Sequence, residues 1–239
     1  MTDDTFARRE FLLGAGLAGT AIAAGVVAPG EAQQLTSAAL PAAVPPSQEP
    51  FITLTALEAA FVVAAVDTLI PADELSPAGS DCGVAVFIDR QLGGAWGGGA
   101  KMYRAGPFVK GKPEQGYQLA LTPREYFTVG IAAANAWTRK TCGGKDFDRL
   151  AAADRVAALK AMEEGKAEFE NFDARAFFGQ LLSITMAGFF ADPIYGGNRD
   201  MVGWKLIGFP GLPATYADKI DDYRDKRYVA APQSIADFS

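Results

Sequence analysis

The chain has 239 residues, of which 49% are hydrophobic and 21% charged, so neither a disordered chain nor a polytopic membrane protein is indicated. Its net charge of −6 disfavours nucleic-acid binding, which relies on clustered Lys and Arg to neutralise phosphates. The sequence contains no histidine, the commonest general base near neutral pH, which excludes a Ser-His-Asp triad, a His-ligated haem and a His-containing zinc site.

The N-terminus carries a pattern typical of export. Arg8 and Arg9 directly precede an apolar stretch, residues 11–27, that is rich in Gly and Ala. We interpret residues 1–32 as a twin-arginine signal peptide, cleaved after Ala32 and handled by the twin-arginine translocase. Two other interpretations are a surface or core helix, which the glycines would weaken, and a single-span anchor, for which the stretch is short.

The same stretch contains Gly14-Ala15-Gly16-Leu17-Ala18-Gly19, which matches the letters of a dinucleotide-binding fingerprint. A true fingerprint follows a buried strand and opens a βαβ unit, whereas here charged residues lie just upstream. Binding of flavin or nicotinamide is therefore not predicted for this segment.

The rest of the chain reads as an extended arm followed by one helical domain. Residues 33–50 mix Pro, Ala, Gln and Ser without periodicity and predict an arm or linker before a domain at 51–239. Capping boxes, in which a Thr and the Glu three residues later bond each other's backbone, occur at 55–58 and 122–125. Strand-like alternation is nearly absent, which predicts a mainly α, irregular single-domain helical bundle with long loops. The predicted helices cover residues 56–70, 84–92, 123–140, 153–164, 174–190 and 215–227.

The first of these helices has a predicted core face. Leu57, Phe61, Ala64, Ala65 and Leu69 recur at helical spacing, and Asp67 is expected near the exposed face.

Cys82 and Cys142 are the only cysteines. In an exported chain a pair of cysteines favours a disulfide bond, and two buried, unbridged thiols are the alternative.

The most distinctive stretch is GFFADPIYGGNRDMVGWKLIGFPG, residues 188–211. Together with the twin-arginine start and an early helix that ends in LIPAD, it resembles the gluconate 2-dehydrogenase subunit 3 family over residues 51–216. The resemblance implies an accessory subunit with no catalytic, cofactor-binding or metal-binding residue of its own. Its partners would be a large flavoprotein that holds FAD and oxidises a sugar, sugar acid or polyol, and a cytochrome c subunit that carries haem. The complex is expected in the periplasm, held at the outer face of the inner membrane through the partner subunits.

Within that stretch, Tyr195, Arg199 and Trp204 are candidates for contact with the large subunit, because aromatic and Arg side chains are favoured at interfaces. Alternatively the stretch covers its own core, with Trp204 buried and Arg199 paired to Asp192 or Asp200.

Two further interpretations make the protein self-sufficient. A hydrolase would use Asp192 and Asp200 as paired carboxylates, although Asp in turns more commonly binds backbone amides. A small-ligand-binding protein would use the loops at 93–99 and 195–211 and would contain a ligand-sized pocket.

Overall fold

The computed structural model describes residues 49–109, 111–112, 115–213 and 215–238. Six α-helices run through these residues: α1 (Ala56–Leu69), α2 (Val84–Gly93), α3 (Pro123–Thr141), α4 (Ala152–Glu163), α5 (Ala174–Phe189) and α6 (Val202–Ile207). The described ranges contain no β-strand, and their one isolated bridge is parallel and joins Gly211 to Gln233. The predicted mainly α fold is therefore confirmed. Among the helices of these ranges, none is both long and apolar enough to cross a bilayer.

The described residues belong to one compact unit, Pro46–Ser239. The predictions for the twin-arginine signal with Arg8 and Arg9, for the glycine fingerprint at 14–19 and for nearly all of the arm at 33–50 lie outside the described residues.

Both capping boxes form as the sequence predicts. Thr55 Oγ1 accepts from the Glu58 N–H at 3.3 Å, and the Glu58 carboxylate accepts from the Thr55 N–H at 2.9 Å. Thr122 and Glu125 repeat these bonds at 3.3 and 2.7 Å, with Pro123 at the first helical position of α3. The starts of α1 and α3 are confirmed because the bonds that set them join residues three apart in the chain.

Aromatic rings fill the space between α1, α3 and α5. The Phe61 ring lies 4.9 Å from that of Phe147, and the Phe127 ring lies 5.9 Å from that of Phe177. Gly130 of α3 makes room for this packing, since a Cβ there would lie 2.2 Å from the Phe177 ring. The packing fixes α5, whose C-terminal end leads into the distinctive stretch.

Two residues of α1 differ from their predicted positions. Leu57 is 49% exposed, because it lies in the first turn and most of this helix is apolar, so that spacing alone does not define its buried face. Asp67 is half-buried rather than exposed, and its carboxylate accepts from the Ser80 N–H at 2.8 Å and the Ser80 hydroxyl at 3.0 Å. Burial raises the pKa of Asp67, although the two Ser80 bonds oppose the rise.

A buried aspartate on α2 holds the beginning of the domain. The Asp89 carboxylate is fully buried and accepts from three successive backbone N–H groups, those of residues 52, 53 and 54, at 2.8 to 2.9 Å. Three charge-assisted bonds of this kind replace the water that the carboxylate loses on burial. The chain is thereby fixed against α2 immediately before α1 begins.

The prediction of a polar helix over residues 215–227 is wrong. Only Ala217–Lys219 forms a short 3-10 helix, and turns follow it, with Asp225 at a positive φ of 60°. A short helix needs an apolar stripe that packs on the core, and Ile220, the aliphatic residue of this segment, remains exposed.

Candidate partner interface

The distinctive stretch begins with a capped turn after α5. The Asp192 carboxylate accepts from the Ile194 N–H at 3.0 Å and so starts the 3-10 helix Pro193–Tyr195. Its second oxygen accepts from the Ile235 N–H at 2.9 Å. One aspartate thus shapes the turn and fastens the C-terminal end of the chain to it.

Asn198 is the buried centre of the stretch. Its side-chain Nδ2 donates to the Ala191 carbonyl at 2.8 Å, and its Oδ1 accepts from the Gly203 N–H at 2.7 Å. The residue is fully buried and adopts a positive φ of 46°, a conformation that Asn tolerates better than most residues. Because its two bonds join the end of α5 to the beginning of α6, Asn198 sets the course of the whole segment.

Arg199 fastens the stretch to the beginning of α2. Its backbone N–H donates to the Cys82 carbonyl at 2.9 Å, and its Nη1 donates to the Asp81 carbonyl at 2.7 Å. The approach is close, since a Cβ on Gly83 would lie 2.2 Å from the Gly196 carbonyl oxygen. Arg199, which is half-buried, is engaged within its own chain.

Trp204 of α6 packs inward. Its side chain is 5% exposed, its Nε1 donates to the Phe190 carbonyl at 2.8 Å, and the Phe209 ring meets it edge-on at 5.2 Å. Tryptophan buried in this way contributes apolar contact and satisfies its one donor. This arrangement agrees with the alternative in which the stretch covers its own core.

The C-terminal end of the chain lies against the stretch. The Leu212 N–H donates to the Gln233 carbonyl at 2.9 Å, and the Gln233 N–H donates to the Pro210 carbonyl at 3.1 Å. The 3-10 helix Ile235–Phe238 contacts the 3-10 helix Pro193–Tyr195. Segments forty residues apart in the sequence therefore form one surface.

Several large apolar side chains of these segments are exposed, and we call this group of residues the C-terminal apolar face. Its members are Ile194, Tyr195, Ile207, Phe209, Ile235 and Phe238. Tyr195 is 51% exposed although the turn that carries it is fixed by Asp192 and Gly196. Large apolar side chains that a rigid turn holds in water are typical of a surface that binds another protein.

Of the three residues predicted as interface candidates, Tyr195 alone presents a side chain that is more than half exposed. The sequence reasoning missed the contribution of Ile235 and Phe238, because nothing local shows that the last residues fold back onto Asp192. A pair of large apolar residues within the last five residues of the chain was the available signal.

The hydrolase interpretation is not supported by the geometry of Asp192. Both of its carboxylate oxygens are occupied by backbone amides, as expected for a structural turn residue. Asp200 is exposed and adopts a positive φ of 56°.

A shallow groove of about 380 Å³ lies along α1. It is lined by Phe51, Ala59, Ala60, Val63, Ala64, Asp67, Asp148 and Arg155. None of these residues belongs to the loops at 93–99 and 195–211, from which the small-ligand interpretation would build its pocket.

The described residues contain neither a βαβ unit nor a cluster of metal-ligand side chains. Without a β-strand in the described ranges, no βαβ unit is available there to bind the pyrophosphate of FAD. Within the same ranges, no three of the acidic, cysteine or histidine side chains cluster as metal ligands would.

The disulfide predicted between Cys82 and Cys142 is absent, and both residues are present as thiols. Cys82 Sγ lies 3.6 Å from the Pro77 carbonyl beside α2, whereas Cys142 Sγ lies 3.5 Å from Thr141 Oγ1 at the end of α3. Each sulfur thus contacts its own local segment, which agrees with the unbridged alternative.

The sequence profile of the family described as gluconate 2-dehydrogenase subunit 3 matches residues 56–211. No curated protein and no solved structure gives a significant match. The matched range extends from the beginning of α1 to Gly211, and so includes the distinctive stretch that builds much of the C-terminal apolar face. The family's name denotes one subunit of a multi-subunit gluconate dehydrogenase. The chain belongs to the gluconate 2-dehydrogenase subunit 3 family.

Proposed function

We propose that this chain is the non-catalytic small subunit of a periplasmic FAD-dependent dehydrogenase, and that it supports the folding, stability and export of the flavoprotein subunit. The observation that carries the proposal is the family match over residues 56–211. The large subunit would hold FAD and oxidise a sugar acid, sugar or polyol, and a cytochrome c subunit would accept the electrons.

The C-terminal apolar face is the surface that we assign to the flavoprotein. Tyr195 combines a large apolar ring with a hydroxyl group and therefore suits the centre of an interface. Asp192, Asn198 and Arg199 would act indirectly, because their bonds hold the turn that presents Tyr195. A rigid turn loses little conformational entropy when it binds.

Substitution of one exposed apolar residue within the face, and of another outside it, tests this assignment. If Tyr195→Ala removes a central contact, the loss is about 2 kcal/mol, or a roughly 30-fold weaker affinity for the flavoprotein. The matched control is Leu75→Ala, at a similarly exposed apolar residue that lies outside the face. Titration of the labelled chain with purified flavoprotein gives both affinities. Equal affinities for the two variants would show that the face is not part of the interface.

We also propose that Arg8 and Arg9 form the twin-arginine pair of the signal that exports the complex. Twin-arginine export moves folded proteins, so one signal is able to carry two associated chains. Replacement of both arginines by lysine should leave the flavoprotein and its activity in the cytoplasm when the two genes are expressed together. Dehydrogenase activity that still reaches the periplasm at the wild-type level would show that the flavoprotein is exported by another route.

A further inference from the structure

The loop between α2 and α3 combines basic and exposed apolar residues in an otherwise acidic chain. Residues 96–112 contain four basic residues and no acidic residue, whereas the whole chain has a net charge of −6. The basic residues are Lys101, Arg104, Lys110 and Lys112. The rest of the chain is therefore considerably more acidic than this loop, and an anionic surface would attract the loop while it repels the remainder.

The apolar residues of the loop point into solvent. Tyr103 is 83% exposed and Val109 is 69% exposed, and Trp96 and Phe108 are each exposed by about two fifths. Every residue from 103 to 109 is exposed, and within the described residues the backbone hydrogen bonds of the loop stop at Met102 and resume at Lys112. The tip therefore has little packing of its own.

The base of the loop is anchored, so that the tip projects from a fixed point. The Tyr117 ring stacks on that of Tyr126 of α3 at 4.1 Å, and the Tyr117 hydroxyl meets Met102 Sδ at 3.8 Å. Tyr126 itself is buried in the aromatic core. The half-buried Met102 and Tyr117 thus mark where the loop leaves the domain.

We propose that this loop binds an anionic phospholipid surface, with Tyr103, Phe108 and Val109 inserted among the headgroups and the lysines bound to lipid phosphates. An apolar tip with basic residues on both sides fits such a surface, because the long lysine side chains reach the phosphates while the tip enters the acyl boundary. Insertion would be shallow, since the backbone of the tip still needs water as a hydrogen-bond partner.

A lipid surface fits these features better than a second protein does. Protein interfaces rely on side chains that are held in fixed positions, as Tyr195 is, whereas Tyr103 and Val109 of the tip extend into solvent. A lipid surface requires no fixed geometry, only charge and apolar area. This inference concerns the chain alone and does not depend on the flavoprotein.

The test is sedimentation of the full-length chain with vesicles of phosphatidylcholine, with or without about 30% phosphatidylglycerol. Binding should prefer the anionic vesicles and should fall as salt rises from about 0.1 M to about 0.5 M, because salt screens exposed charges. The N-terminal apolar stretch is common to all variants and has only two basic residues against four acidic ones, so it adds a background without anionic preference.

Two variants and two matched controls separate charge from insertion. Lys101→Glu with Lys112→Glu should weaken binding to anionic vesicles at least tenfold, since each basic residue near such a surface contributes about fivefold. Hydrogen bonds with Thr122 are the main cause that lowers the pKa of the Glu125 carboxyl, and the charge of Arg104 lowers it further. Arg104 is therefore left unchanged. The control, Lys140→Glu with Lys145→Glu, has the same net charge and changes exposed residues elsewhere. Tyr103→Ser with Val109→Ser should also weaken binding, in contrast to Ile194→Ser with Tyr195→Ser.

Anionic preference that the loop variants lose and the controls keep would support the proposal. Equal binding to the two kinds of vesicle, or an equal loss in loop and control variants, would overturn it. Loop variants that bind vesicles normally but no longer bind the flavoprotein would also overturn it and would assign the loop to the protein partner.

Discussion

Replacement of Asn198 should have the largest effect of any single change in the distinctive stretch. Asn198→Ala removes the donor to the Ala191 carbonyl and the acceptor for the Gly203 N–H, both in a fully buried place. Each buried group left without a partner costs about 1–3 kcal/mol. Alanine at the observed φ of 46° adds roughly 1 kcal/mol, because its Cβ disfavours the left-handed region. We therefore expect the free energy of unfolding to fall by about 3–7 kcal/mol, a large part of the stability of a typical domain.

Asn198→Gly separates the two contributions. Glycine also removes both hydrogen bonds, but it adopts a positive φ without strain. The glycine variant should therefore be destabilised by roughly 1 kcal/mol less than the alanine variant, with most of the loss in common.

Urea unfolding of the full-length chain measures both values. Tryptophan fluorescence reports on Trp204, which packs beside this segment, and far-ultraviolet circular dichroism reports on the helices. If the unfolding free energies of both variants lie within about 0.5 kcal/mol of the wild-type value, Asn198 does not hold the segment together.

Burial and close contacts govern the behaviour of Asp67, the two cysteines and Gly211. Because burial raises the pKa of Asp67 above its ordinary 3.8, the folded chain binds this proton more tightly than the unfolded chain does. The contribution of Asp67 to stability should thus fall as pH rises from about 3.8 through the raised pKa, and Asp67→Asn should remove that fall from pH-dependent unfolding curves. Cys142 should react with a thiol reagent in the native protein, whereas Cys82, which is 1% exposed, should react only after unfolding; equal native rates would contradict its burial. Gly211→Ala should release the C-terminal segment to limited proteolysis, since a Cβ there would lie 2.1 Å from the Gln233 carbonyl oxygen; an unchanged cleavage pattern would contradict the contact.

The helix starts could be predicted from the sequence because their causes are local. The boxes at Thr55 and Thr122 and the proline at 123 act within three residues of where they stand. Sequence spacing is sufficient for interactions of this range.

The features that the sequence did not reveal depend on contacts between distant residues. Asp89 accepts from backbone groups more than thirty residues before it, and Asp192 accepts from Ile235, forty-three residues later. No sequence periodicity indicates that either aspartate binds the backbone of a distant segment. The position of Trp204 was open for the same reason, because an aromatic residue suits both a core and an interface.

The exposed apolar tip of the loop at 96–112 could not be predicted from the sequence either. Its glycines indicated a loop. The exposure of Tyr103 and Val109 depends on the packing of Met102 against Tyr117 and of Tyr117 against Tyr126, which the sequence does not show. Charge patterning alone would have shown a basic loop without the projecting apolar tip.

Co-purification is the most direct test of whether this chain is a non-catalytic subunit of a flavoprotein dehydrogenase. The tagged full-length chain is expressed with its neighbouring genes, and an absorbance spectrum and a dye-linked dehydrogenase assay are recorded for the complex and for the isolated chain. We expect flavin absorbance and activity in the complex and neither in the isolated chain. A colourless monomer that binds no flavoprotein, or dehydrogenase activity in the isolated chain, would contradict this expectation.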